Sequence, residues 1–325
     1  MRKSFIRSIL SAAILLTMAE TSSAQIGVST EYVEPRGWSI GTSIGMLDLW
    51  GDVGTKSVID HYSNPEYFNK PCFMGGLFFR YASHPSFAFR VGGYYGTLYA
   101  TDRWNKEKAL ESKNPNDDVY QRYLRNQSIR ANTWEMNMLF EIVPFRFNPE
   151  SRAAMRRFQP LLLLGVGAMH FKPQAQYIDR NQVHRGYVDL YDLNVEGTGV
   201  SSSIYPGAPQ KYSLWQVVIP AGLGVRWDIG RRLSLGLEWV YRYTFTDYLD
   251  NVSGKYVDPA IYDKYLSPEK AALAKEMQDK SWLIDGSVQH KAGEKRGDAS
   301  NKDAYSTLGL TLVFKIPSKK VPWWY

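Results

Sequence analysis

The chain has 325 residues, a formal net charge of +7 and one cysteine, Cys72. A lone cysteine excludes an intramolecular disulfide, and the mild, dispersed positive charge argues against nucleic acid as a partner. Aromatic residues make up 14% of the chain while mean hydropathy is only -0.36, as expected where apolar side chains are confined to alternate strand positions and loops are polar.

At the N-terminus, Arg2, Lys3 and Arg7 precede an apolar run from Ile9 to Met18, and Ser22-Ser23-Ala24 supplies the small residues that signal peptidases read. The expectation is a signal peptide over 1–24, followed by a periplasmic segment 25–35. Cleavage removes Arg2, Lys3, Arg7 and Glu20, so +7 becomes +5. Beyond this segment no run of about 18 apolar residues remains, which excludes a spanning helix.

Strand alternation begins next. Segments 38–50, 71–81 and 87–100 are compatible with strands. Trp134, Met136, Met138, Phe140 and Ile142 then oppose Glu135, Asn137 and Glu141. Segment 158–171, F-Q-P-L-L-L-L-G-V-G-A-M-H-F, lacks clean alternation and its faces stay unassigned. Trp215, Val217, Ile219, Ala221, Leu223, Val225 and Trp227 face away from Gln216, Gly222, Gly224 and Arg226. From Leu233 to Phe245 one face is Leu, Leu, Leu, Trp, Tyr, Tyr, Phe, and the other carries Glu238 and Arg242. The last strand sets Leu308, Leu310, Leu312, Phe314 and Ile316 against Tyr305, Thr307, Gly309, Thr311 and Lys315.

These segments predict an all-β fold, an eight-stranded antiparallel transmembrane β-barrel over 36–316. Connections 82–86, 148–157 and 228–231 are short, whereas 51–70, 101–128, 172–211 and 249–303 are long and polar. The two classes alternate, as in a barrel with periplasmic turns and extracellular loops, and both termini fall on the turn side. Within 249–303, Ser267 and Pro268 open a helix.

An eight-stranded bore is just wide enough for side chains to fill. Arg80, Arg90, Glu135, Glu141, Arg226, Glu238 and Arg242 fall on the inner face and are expected to form an ion-pair network that plugs it; a conducting path is the alternative. Tyr243, Phe245 and Tyr248 are expected in an interfacial girdle, with Asp247 and Asp250 where the strand re-enters water. A catalytic or calcium site at these acids and Asp258 is the alternative, disfavoured because calcium normally takes six or more oxygen ligands from a closely ordered loop, and no metal and no cofactor are expected. His61, His84, His170, His184 and His290 show no spacing to a serine that would mark a lipid-modifying enzyme, and no catalytic residue is assigned.

The sequence resembles the PorG family, small outer-membrane barrels of the type IX secretion and gliding machinery. The resemblance is carried by F-T-D-Y-L-D-N-V-S-G-K-Y-V-D at 245–258 and Y-S-L-W-Q-V-V-I-P-A-G-L-G-V at 212–225. F-K-P-Q-A at 171–175, E-G-T-G at 196–199 and K-R-G-D-A-S-N-K-D-A-Y at 295–305 add to it. It implies a non-enzymatic component that meets a periplasmic ring of the PorK lipoprotein and its partner PorN, and outer-membrane lipid and lipopolysaccharide. A lipid-A-modifying enzyme and a small channel or adhesin are the rival readings.

The tail 317–325, P-S-K-K-V-P-W-W-Y, lies outside the family pattern. Its Lys319, Lys320, Trp323, Trp324 and Tyr325, with Arg152, Arg156 and Arg157 of one turn and Arg231 and Arg232 of another, form an expected docking surface. Trp, Tyr and Arg often dominate interface energies. Lipid headgroups, or recognition by the insertion machinery, are the competing explanations.

Overall fold

The computed structural model describes residues 36–55, 72–112, 114, 116–148, 151–230 and 232–316. The expectations for 1–24, 25–35 and 317–325, and for His61 and Arg231, lie outside the described residues.

Nine strands are described: β1 (Gly37–Trp50), β2 (Phe73–His84), β3 (Phe87–Thr101), β4 (Ser128–Ile142), β5 (Phe158–Ile178), β6 (His184–Asp189), β7 (Trp215–Asp228), β8 (Leu233–Thr244) and β9 (Ala304–Lys315). Each barrel strand pairs antiparallel with its neighbours, and β4 pairs with β5 while β9 returns to β1. The ring therefore closes with eight strands. β6 stands apart, pairing only with the upper end of β5, Gln174 to Ile178. The 172–211 connection, read from sequence as a polar loop, is thus partly a hairpin that prolongs the barrel wall.

Closure brings Gly45 opposite Gly309, where a Cβ on either residue would lie 2.6 Å from the other's Cα. At Gly41 a Cβ would overlap the Phe78 ring, so the glycine makes the room that this buried aromatic fills.

Alternation sends one set of side chains outward in a continuous apolar band that includes Leu77, Met136, Val166, Val217, Leu223, Leu237 and Leu310. Aromatics rim both edges. Trp38 and Tyr81 (4.9 Å between centroids) mark the turn end, and Tyr95 and Trp134 (4.5 Å) the loop end. This is the surface that hydrocarbon between two headgroup layers requires. β5 alternates too, but its bore-facing Leu161 and Leu163 are as apolar as its outer face because they pack with Val143 and Val240. Its pattern was illegible for that reason.

Beyond the loop-end girdle the long connections fold into a cap with its own core. Leu190, Leu193, Leu249, Val257 and Tyr262 pack down onto Leu47, Leu98 and Phe171 of the strands. Helices α1 (Lys106–Ser112) and α2 (Asp118–Arg125) lie within the 101–128 connection, for which the sequence predicts only a long polar loop. The Asp117 carboxylate accepts from Val119 N at 3.4 Å to start α2, and Asn126, at φ 52°, ends it. At the turn end, α3 (Arg152–Met155) is a single turn capped by Ser151. In the last long connection, α4 (Tyr262–Tyr265) precedes α5 (Pro268–Gln278). α5 begins where expected, although Ser267 supplies its carbonyl rather than its hydroxyl, accepting from Ala271 N at 2.8 Å.

Candidate functional site: a sealed lumen and two unlike ends

The inward residues stack into tied layers along the bore. In the middle layer Glu141 accepts from Arg80 Nη2 at 2.7 Å and Arg90 Nε at 2.8 Å, and pairs with Arg226. Arg90 also reaches Glu238 through both terminal nitrogens, and Thr311 Oγ1 donates to the same carboxylate at 3.2 Å. Toward the loop end, Glu135 binds Arg242 at 2.7 Å and accepts from Tyr305 Oη at 2.8 Å and Asn137 Nδ2 at 2.5 Å. All seven residues singled out from sequence are therefore brought into the lumen and ion-paired there.

A further layer lies below. Asp228 accepts from Arg146 Nη2 at 2.7 Å, Lys315 Nζ at 2.8 Å and Ser234 Oγ at 2.5 Å. Sequence reasoning placed Asp228 in the 228–231 turn and so missed it. It simply continues the inward register of β7, two residues past Arg226.

Between the middle and upper layers only about 30 Å³ is open, bounded by Arg90, Tyr94, Glu238 and Arg242. That is room for roughly one or two waters. Each carboxylate here has at least one guanidinium or ammonium on it, as low-dielectric burial requires.

At the loop end the expectation of solvated acids is overturned. Asp247 and Asp250 are buried, at 4% and 1% exposure, beneath the cap and beside Asp303 and Asp52. Asp250 accepts from Val53 N at 2.8 Å and Val252 N at 2.9 Å; Asp303 accepts from Leu249 N at 2.8 Å. The carboxylates thus hold together three chain segments that leave different strands. Burial, with Asp52 alongside, pushes the Asp250 carboxyl up to about 7, and burial likewise pushes Asp247 up to about 7. Asp303 is raised well above the usual range by the same burial and by its acidic neighbours. Asp258 belongs elsewhere, capping the 259–261 turn through Ala260 N at 2.9 Å. Tyr248 leaves the girdle as well, stacking on Tyr212 at 4.6 Å inside the cap. Among the described residues no cluster has the arrangement of a metal site.

The clasp around these acids is basic. Arg125 grips Asp102 and the carbonyls of Asp52 and Arg296, while Arg296 pairs with Glu196 at 2.6 Å. Of the described histidines, His170 lies on the outer wall against Trp215, His184 meets Gln176, His290 meets Asp279, and His84 accepts from Ser86 N. Among the described residues none has a serine hydroxyl as a hydrogen-bond partner. Cys72, which the sequence pattern puts on the inner face as a packed thiol, is instead buried against Tyr99 on the outward register of β3.

At the turn end, Arg152, Arg156 and Arg232 are exposed and Arg157 half-buried. The two turns are knit together: Asp228 N donates to Arg157 O at 2.9 Å, and Arg157 Nη1 to Ile229 O at 3.2 Å. Lys315 N donates to Arg232 O at 2.8 Å, so the last strand ends within this basic face.

No family model and no curated protein matches the chain. Among solved structures it is similar to Neisserial surface protein A, at 8% identity over 86% of this chain and 97% of that one, with a TM-score of 0.35. Ail of Yersinia pestis is 10% identical over 87% and 100%, TM-score 0.34; a major outer membrane protein from Thermus thermophilus is 12% identical over 87% and 100%, TM-score 0.36. The chain's own closed ladder, apolar band and paired girdles make it an eight-stranded outer-membrane β-barrel.

Proposed function

We propose that this barrel is a non-enzymatic anchor of a type IX secretion and gliding machine, fixing a periplasmic ring of PorK and PorN type to the outer membrane. The reading rests on the resemblance to the PorG family, and one structural observation supports it most: the lumen is filled by paired charges. A sealed barrel has little to offer as a conduit and much to offer as a rigid post. Short turns face the periplasm in bacterial barrels, which makes the basic turn end the ring-facing end and the cap the outer face.

On this reading Arg152, Arg156, Arg157 and Arg232 meet an acidic surface of the ring, and the aromatic tail 317–325, which leaves from the same end, supplies buried anchors. Deletion of 317–325 tests it. Barrel abundance and heat-modifiable migration are expected to stay normal, while ring proteins no longer co-purify in mild detergent and secretion is lost. Unchanged co-purification and secretion would sink the docking assignment, and a fall in barrel level would assign the tail to membrane insertion.

A further inference from the structure

A second feature of the cap is independent of the ring. Above the loop-end girdle, a polar cavity of about 130 Å³ lies against the outward register of three strand ends: Tyr99 and Thr101 of β3, Ser128 of β4, and Gln176 and Ile178 of β5. Lys280 and Leu283 come from the turn that follows α5, and Arg103 and Asn126 complete the lining. Lys280 is only 5% exposed, whereas Arg103 is open to solvent.

The charges around this cavity do not balance. Lys280 Nζ donates to Gln176 O at 2.8 Å, and among the described residues no carboxylate accepts from it. No lining residue is acidic. The charged groups that face Lys280 are Arg103, Arg296 and Asp102. Asp102 is already taken by Arg125 Nε and Nη2, Gln127 N and Gly54 N. Arg296 is committed to Glu196. Arg103 uses Nε on Asn126 Oδ1 at 3.1 Å, which leaves its terminal nitrogens available. A buried ammonium with like charges beside it is costly, and this environment pulls the Lys280 amine down to about 7.

We propose that this cavity binds a tetrahedral oxyanion, a phosphate or sulfate group, between Lys280 at its floor and Arg103 at its mouth. Such an anion takes the two remaining protons of the Lys280 ammonium and a pair from the Arg103 guanidinium, with the Ser128 hydroxyl as a further donor. A water occupies about 10–15 Å³ of such space, so a tetrahedral group fits together with several waters. The cavity opens sideways above the membrane, so a lipid-linked phosphate and a free anion present the same chemistry to it.

The test uses the full barrel in detergent and titrates sulfate, whose charge is constant over the range, by calorimetry. Binding is expected to be about tenfold tighter at pH 6 than at pH 8, since an amine titrating near 7 passes from mostly charged to mostly neutral. Lys280→Met abolishes it and Arg103→Gln weakens it about tenfold, with heat-modifiable migration reporting that each variant is folded. If Lys280→Met does not fold, the exposed Arg103→Gln still decides. No sulfate binding at pH 6, or binding indifferent to both variants, would overturn the proposal. The source is separated in nanodiscs of phosphatidylcholine with or without phosphatidic acid. Loss of sulfate binding only where phosphatidic acid is present supports a lipid phosphate as the occupant; equal binding in both supports a free anion.

Discussion

Arg90 on β3 holds Glu238 on β8 through both terminal nitrogens, at 2.9 and 2.8 Å, straight across the bore. β3 and β8 share no ladder, so this pair braces opposite walls. The Nε of Arg90 goes to Glu141, and its guanidinium lies 4.9 Å from the Phe78 ring that Gly41 makes room for.

Removing one end of that brace leaves a buried cation half-paired. Glu238→Ala is expected to cost about 3–5 kcal/mol, read as a lower temperature at which the folded gel band converts to the unfolded one. Leu237→Ala, one residue away and 46% exposed on the lipid face, is expected to cost much less because acyl chains fill the space. Equal losses, or a larger loss for Leu237→Ala, would contradict the face assignment.

Protease accessibility distinguishes the two ends. Within the last long connection Lys280 and Arg296 are buried, while Lys291 lies in an exposed run between them. Trypsin added to intact cells is expected to cut first after Lys291 and to spare Arg152 and Arg156. Mass spectrometry of the fragments checks this, and early cleavage at Arg152 from outside would invert the orientation.

The buried acids make the cap pH-dependent. Asp247 and Asp250 titrate at about 7 in the folded state and at about 3.9 when unfolded, so the folded cap holds extra protons between those values. Stability from these groups is therefore greatest at the acidic end of that window and falls as pH rises through 7. Hydrogen exchange at amides 246–253, corrected for intrinsic rates, is expected to show less protection at pH 8 than at pH 5. Asp250→Asn should flatten the dependence, and a rise in protection with pH would contradict it.

The barrel was legible because hydrocarbon imposes a strict rule on one face of every strand. Trp134 to Ile142 and Leu233 to Phe245 could be assigned residue by residue, and the inward Arg and Glu residues followed by subtraction. The cap obeys no such period. Leu190, Leu193, Leu249 and Val257 reach one core from separate loops, and nothing local in the sequence brings them together. The acids at 247 and 250 looked solvated for the same reason: what buries them arrives from 52 and 303, far along the chain. Asp228 is different, since following the alternation two residues further would have found it.

The closing seam carries a consequence for how the molecule comes into being. Trp50 Nε1 meets Ser306 Oγ across 256 residues of chain, and Glu135 meets Tyr305 across 170. Contacts so distant in sequence form late. Until β9 zips onto β1 the growing sheet is an open trough, with guanidinium and carboxylate groups along its concave side and two bare edges. Neither can face hydrocarbon. The trough must stay flooded while the strands are laid in order, and the water is expelled only when the final strand shuts the seam.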